Sequence, residues 1–159
     1  MQVNGACAAP WSPDGPNSRN SGVRLMESRL PSKPGNLVFI VDDDPAVLNS
    51  LKFSLEVEGF QVKVFHSGEE LMAGPPFGEA ACLVIDYQLS GMDGLALLAE
   101  LRRRNVYFPA ILTTSNPSAM VRRRAADAGL TIVEKPLLGN ALAETIRIAL
   151  QTARPHTGK

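Results

Sequence analysis

Four short stretches of this 159-residue chain carry side chains suited to handling a phosphoryl group: Asp42-Asp43-Asp44, Asp86, Thr113-Thr114-Ser115 and Glu134-Lys135-Pro136. Gathered in one place, the carboxylates of the first two stretches repel one another and raise a pKa or splay apart unless a cation neutralises them. A hard divalent ion answers that need. Mg²⁺ takes oxygen ligands in an octahedron, keeps several waters, and binds through one or two carboxylates plus a phosphate, which suits a site with few protein ligands. A carboxylate held there can attack phosphorus, because the ion cancels its repulsion from the phosphoryl oxygens. Asp86 is the expected nucleophile, since the apolar run Ala81-Cys82-Leu83-Val84-Ile85 positions it and no adjacent acid shares the metal. The remaining phosphoryl oxygens need donors, and Lys135 offers an ammonium and Thr114 a hydroxyl.

Taken singly, each of these residues has a plainer explanation. An acid after a strand is commonly a helix cap, and a Thr or Lys there is commonly solvated surface. What argues against that is their shared placement. From Asn36 onward, short apolar β-branched runs alternate with segments of helical period, the pattern of βα units. The strands are expected at Leu37–Asp42, Gln61–Phe65, Ala81–Asp86, Pro109–Thr114 and Thr131–Glu134. Four of them are dominated by apolar residues, as in a parallel sheet covered on both faces; Gln61–Phe65 alternates polar with apolar, as at a margin. Helices are expected from Pro45 to before Gly59, over Gly68–Ala73, Gly94–Arg104, Pro117–Ala128 and Leu138–Thr152, with Asp44 as a cap, Pro45 at the first helical position and Gly129 as a stop.

Right-handed crossovers leave few arrangements of five such units, and the doubly wound order 2-1-3-4-5 of flavodoxin-like α/β folds is the common one. In that order strands one and three lie side by side, and ligands bind beyond their carboxyl ends. All four chemical stretches lie at strand ends.

Bulk composition narrows the function classes. Lys+Arg and Asp+Glu balance at 16 each, so no global field draws the chain to nucleic acid or an anionic membrane. No apolar run approaches the roughly 18 residues of a membrane span, and no export signal is visible. With two cysteines, one inside the apolar run at Cys82, a reducing cytoplasmic setting is expected. His66 and His156 are read as isolated residues away from the strand ends, leaving no cluster for a softer metal. Residues 1–35, rich in Pro, Gly, Ser and Asn, read as a disordered tail, followed by one domain over 36–152 and a short tail over 153–159.

The blocks Val38-Phe39-Ile40-Val41-Asp42-Asp43-Asp44, Val84-Ile85-Asp86, Ile111-Leu112-Thr113-Thr114 and Glu134-Lys135-Pro136 resemble the signature blocks of response-regulator receiver domains from two-component signalling. The resemblance covers about Leu37 to Thr152. It implies that Asp43 ligates Mg²⁺ directly and Asp42 mostly through water, with the backbone carbonyl of Gln88 completing the shell. It also implies Asp86 as phosphoacceptor, Lys135 as the phosphate-binding ammonium, a cis Lys135–Pro136 bond, and a switch hydroxyl. Between Thr113 and Thr114 that last role is a matter of register, which favours Thr114.

Departures are expected to matter as well. Ser90 stands where receivers usually carry Pro, with Gly91 beside it, which predicts a more mobile loop. Ile132 replaces the Phe or Tyr usual three positions before the lysine, which puts the ring-swinging switch in doubt but not the phosphotransfer. Ser115, where a smaller residue is common, is expected to narrow access to the site.

The resemblance implies a phosphohistidine donor, either a histidine kinase or a histidine phosphotransfer protein. It implies a downstream protein target met on the face of the fourth and fifth helices, and a weak phosphorylation-dependent homodimer. With only Ala153 to Lys159 after the last expected helix, neither a fused output domain nor direct nucleic-acid binding is expected. Beyond its own aspartyl phosphorylation and dephosphorylation, no turnover of a separate substrate is expected. Arg122-Arg123-Arg124 reads as a solvated basic turn or a docking patch for an acidic partner, and Arg102-Arg103-Arg104 as a helix end favoured by the dipole. Two other readings compete: a receiver-like interaction module that does not switch, and an aspartyl phosphatase of the haloacid-dehalogenase kind with Asp42 as nucleophile.

Overall fold

The computed structural model describes residues 36–74, 82–137 and 140–153, all within one compact unit running from Lys33 to Lys159. The tail expected over 1–35, Ala81, Leu138 and the residues after Ala153 lie outside the described residues. Five strands alternate with five helices: β1 (Leu37–Val41), α1 (Pro45–Val57), β2 (Gln61–Phe65), α2 (Gly68–Ala73), β3 (Cys82–Asp86), α3 (Gly94–Arg103), β4 (Ala110–Thr114), α4 (Ala119–Asp127), β5 (Thr131–Glu134) and α5 (Ala141–Ala153). The sheet is parallel throughout in the order β2-β1-β3-β4-β5, the expected doubly wound topology.

Helix starts follow from local chemistry. The Asp44 side chain accepts from Ala46 N at 2.9 Å ahead of Pro45, and Ser67, Asp93 and Ser118 accept likewise at the starts of α2, α3 and α4. Ser118 moves the start of α4 from the expected Pro117 to Ala119. Pro117 instead lies in the irregular segment before the helix, after Asn116, whose φ is +58°. Gly129, at φ +70°, stops α4 as expected.

The sheet separates two apolar layers. Val38, Ile40, Val84 and Ile111 face one layer with Leu48, Leu51 and Leu55 of α1 and Leu142 and Ile146 of α5. Phe39, Val41, Leu83, Ile85 and Leu112 face the other, packed on Leu95, Leu97, Leu98 and Leu101 of α3 and on Val121 and Ala125 of α4. Cys82 is buried within the first layer, and burial pushes its thiol pKa up to about 12, so it acts as a small apolar side chain. As the expected order requires, β5 is the second edge strand; its end residues are exposed and its middle only half-buried, so Ile132 and Val133 are less fully covered than their apolar character suggests.

Candidate functional site

Parallel strands all end on the same edge, and that edge collects the chemistry. Asp42 follows β1, Asp86 ends β3, Thr114 ends β4 and Lys135 follows β5. The Lys135 Nζ lies 2.9 Å from Asp42 Oδ2 and 3.2 Å from Asp86 Oδ1, so one ammonium bridges both strands. Oxygen atoms of Asp42, Asp43 and Asp86 lie within 4.8 Å of one another, so the structure brings together the three acids picked out in the sequence.

The three carboxylates differ in surroundings. Asp42 is 2% exposed, with Oδ1 accepting from Asp44 N at 2.9 Å and Oδ2 taken by Lys135. Asp43 is exposed, and its Oδ2 accepts from the Ser90 hydroxyl at 2.9 Å. Asp86 is 6% exposed, and burial first, then the charge of Asp42, raise its pKa above the ordinary 3.8. Lys135 and the backbone N–H of Gln88 pull it back only in part. For Lys135, burial works against the charge, but the hydrogen bond to Asp42 and the charges of Asp86 and Asp42 outweigh it, leaving the pKa raised.

A raised Asp86 pKa means that the folded protein holds this proton more tightly than the unfolded chain does. Its stabilising contribution is therefore present in acid and is lost as pH rises through the folded value. Carboxyl-carbon NMR of the metal-free protein is expected to give Asp86 a midpoint above 3.8, and Mg²⁺ to pull that midpoint down. A midpoint at or below 3.8 without metal contradicts the burial argument.

Thr114 is 3% exposed, and its carbonyl accepts from Lys135 N at 2.8 Å. Thr113 is turned elsewhere, its hydroxyl reaching the Ile85 carbonyl at 3.4 Å. The Lys135–Pro136 bond is cis, as the resemblance implied. Gln88 forms a lone antiparallel bridge with Asp93, which ties the loop after Asp86 to the start of α3. One expectation needs correcting: His66 is not away from the strand ends, because it directly follows β2, where its backbone N–H and ring both meet Glu70. His156 lies outside the described residues. A lone His paired with Glu still makes no soft-metal cluster.

Two positioning features are not legible in the sequence. Ser90 shows there only as the residue in place of a proline, whereas its hydroxyl reaches Asp43 across 47 residues of sequence. Gly94 shows there only as a helix start. A Cβ there would lie 2.6 Å from the Asp86 carbonyl and 2.8 Å from Ile85 Cγ2, so α3 packs directly on the backbone that carries Asp86. The short spacing from Asp86 to Gly94 was the available signal. Gly94→Ala is expected to destabilise the fold by about 2–3 kcal/mol, read as a lowered Tm. An unchanged Tm rules out that close packing.

The acids offer hard oxygen donors only, a set that suits Mg²⁺ rather than a thiophilic metal. Among the described residues no helix is long and apolar enough to cross a membrane.

The family model described as response regulator receiver domain matches residues 38–147. Over 113 residues the chain is 34% identical to the transcriptional regulatory protein FixJ of Rhizobium meliloti, covering 70% of this chain and 55% of that protein. It is 29% identical over 119 residues to FixJ of Bradyrhizobium diazoefficiens, covering 74% and 58%. The crystal structure of a CheY-like response regulator receiver domain protein from Methanospirillum hungatei matches with a TM-score of 0.68 and 28% identity, covering 74% of this chain and 94% of that one. The chain thus spans little more than half the length of these two curated relatives.

Proposed function

The chain belongs to the response regulator receiver family, and from that membership we propose that it takes a phosphoryl group onto Asp86 from a phosphohistidine protein and signals through an altered protein-binding surface. Receiver domains of response regulators are phosphorylated by histidine kinases, act on downstream effector domains, and generally bind Mg²⁺ at a cluster of acidic residues. The observation that carries the reading is the Lys135 ammonium held between Asp42 and Asp86 at 2.9 and 3.2 Å, with Asp43 completing the acidic group.

In this reading an Asp86 oxygen attacks the phosphorus of a phosphoimidazole. The O–P bond forms as the P–N bond breaks, and the electron pair stays on the imidazole nitrogen, which takes a proton from solvent. Lys135, already beside Asp86, meets the charge that builds on a phosphoryl oxygen, and the Thr114 hydroxyl donates to another. Asp43 would ligate Mg²⁺ directly, Asp42 through water, and the Gln88 carbonyl would complete the protein's share of the shell. When bound, the ion supplies charge that offsets the repulsion between Asp86 and the incoming oxygens. That Thr113 spends its hydroxyl on Ile85 favours Thr114 as the switch. Asp42 makes a poor nucleophile because both of its oxygens are engaged, which counts against the phosphatase reading.

Incubation with acetyl phosphate and Mg²⁺, followed by peptide mapping, is expected to place the label on Asp86. Label on Asp42, or labelling that EDTA does not stop, overturns the proposal. The static-module reading keeps one specific support: Ile132, half-buried against the α3–α4 layer, has no ring to rotate. Beryllofluoride with Mg²⁺ is expected to move amide NMR signals at Thr114 and along α4; shifts confined to the three acids favour the static module.

The Ser90 hydroxyl holds one Asp43 oxygen and so fixes the carboxylate that would ligate the metal. Ser90→Ala is therefore expected to weaken Mg²⁺ binding up to about tenfold, and Ser90→Thr to retain it. Competition against bound Mn²⁺, followed by electron paramagnetic resonance, measures this directly. Equal affinities of Ser90→Ala and the parent mean that the bond is incidental.

A further inference from the structure

Members of the two arginine triplets, about twenty residues apart in sequence, meet in space. Helices α3 and α4 lie side by side on one apolar layer, and the groove between them, about 640 Å³, is floored by Leu95, Leu98, Ala99 and Ala128. Arg102, Arg103 and Arg124 line it, with Asp127 as its one acid. Counted with their cap residues, the two helices carry six arginines, Arg102 to Arg104 and Arg122 to Arg124, against three acids, Asp93, Glu100 and Asp127. Of the charged residues that line the groove itself, three are cationic and one is acidic, although the chain as a whole carries zero formal net charge.

The arginines are not equivalent. Arg102 donates to the Ala128 carbonyl at 2.7 Å and so caps the end of α4, a structural duty. Arg103 and Arg124 have side chains 77% and 45% exposed, and their links to Glu100 at 3.2 Å and Asp93 at 3.6 Å are surface pairs of little worth that an incoming carboxylate can share. Met120, 65% exposed, stands one turn before Arg124 on the same side of α4 and extends the apolar strip.

We propose that this groove docks an acidic amphipathic helix of a partner protein, its apolar side on Leu98, Ala99 and Met120 and its carboxylates against Arg103 and Arg124. The apolar floor favours a peptide over nucleic acid, because phosphates gain nothing from Leu and Ala side chains. The chain's own first 35 residues make a poor occupant: they carry Arg19, Arg24, Arg29 and Lys33 against Asp14 and Glu27, the wrong sign. The proposal concerns the outer face of α3 and α4 rather than the phosphoryl chemistry and stands whether or not Asp86 is phosphorylated.

The test uses the full chain and a synthetic 18-residue helical peptide with Leu at i, i+3, i+4 and i+7 flanked by Glu, and a second peptide with Lys in place of Glu. The Glu peptide is expected to bind, to move amide signals along α3 and α4, and to weaken with added salt; the Lys peptide is expected not to bind. The double variant Arg103→Glu, Arg124→Glu is expected to weaken binding by about tenfold. Should it unfold, Ala99→Glu, at an exposed helical position, is expected to weaken it several-fold. Failure of the Glu peptide to bind, signals moving instead at the exposed Phe53 and Val57 of α1, or displacement of the peptide by an equal concentration of duplex DNA overturns the proposal.

Discussion

Asp86→Asn is expected to abolish phosphoryl labelling while the domain remains folded. The amide keeps the shape of the side chain but removes the anionic oxygen that would bond to phosphorus, and no neighbouring acid is placed to substitute. Asp42 has both oxygens engaged, by Asp44 N and by Lys135, and Asp43 sits exposed with one oxygen held by Ser90. Labelling with acetyl phosphate, followed by intact-mass measurement, is expected to show less than 1% of parental incorporation, on the order of a 10² loss or more. Stability is expected to move in the opposite direction. Asp86 is buried and repelled by Asp42, and its raised pKa records that cost, so the neutral side chain is expected to raise the metal-free Tm. Parental labelling of Asp86→Asn overturns the assignment of the acceptor.

Lys135→Ala carries the second large effect, and it acts on stability and chemistry together. Asp42 and Asp86 are 2% and 6% exposed, and the one ammonium between them contacts both. Its removal leaves two buried carboxylates facing each other, a change that costs about 3–5 kcal/mol when a buried pair loses one partner. The metal-free Tm is expected to fall by more than 10 °C. Mg²⁺ is expected to recover part of that loss, because a cation bound by the same acids supplies the missing charge. Labelling is expected to slow by about 10²–10³ even where the protein is folded, since a preorganised charge at the phosphoryl oxygens is gone. The double variant Lys135→Ala, Asp42→Asn separates the two contributions. It is expected to regain most of the stability and little of the rate, and a Tm no better than that of Lys135→Ala refutes the pairing argument.

Most of the fold could be read from residue patterns. Four strands start and end within a residue of expectation, Ala81 at the expected start of β3 lying outside the described residues, because β-branched apolar runs bounded by Asp, Gly and Pro allow little else. Helix starts were legible where a cap was spelled out, as at Asp44-Pro45, and slipped by two residues where Ser118 competed with Pro117. The order put β5 at an edge, but its partial burial was not legible, because Ile and Val look the same on a covered strand as on a half-covered one.

The sequence by itself determined that acids, a hydroxyl and a lysine stand at strand ends, and a parallel sheet then leaves them one edge to share, since every strand points the same way. It could not decide which of two adjacent aspartates is buried. Asp42 turns inward to Lys135 and Asp43 outward to Ser90, an outcome of side-chain alternation and of partners 93 and 47 residues away. Nor could it show that Gly94 presses on the Asp86 backbone, or that Arg102, Arg103 and Arg124, from two separate triplets, line one groove. Such contacts come from helix packing across the sheet, where distance along the chain carries no information about distance in space.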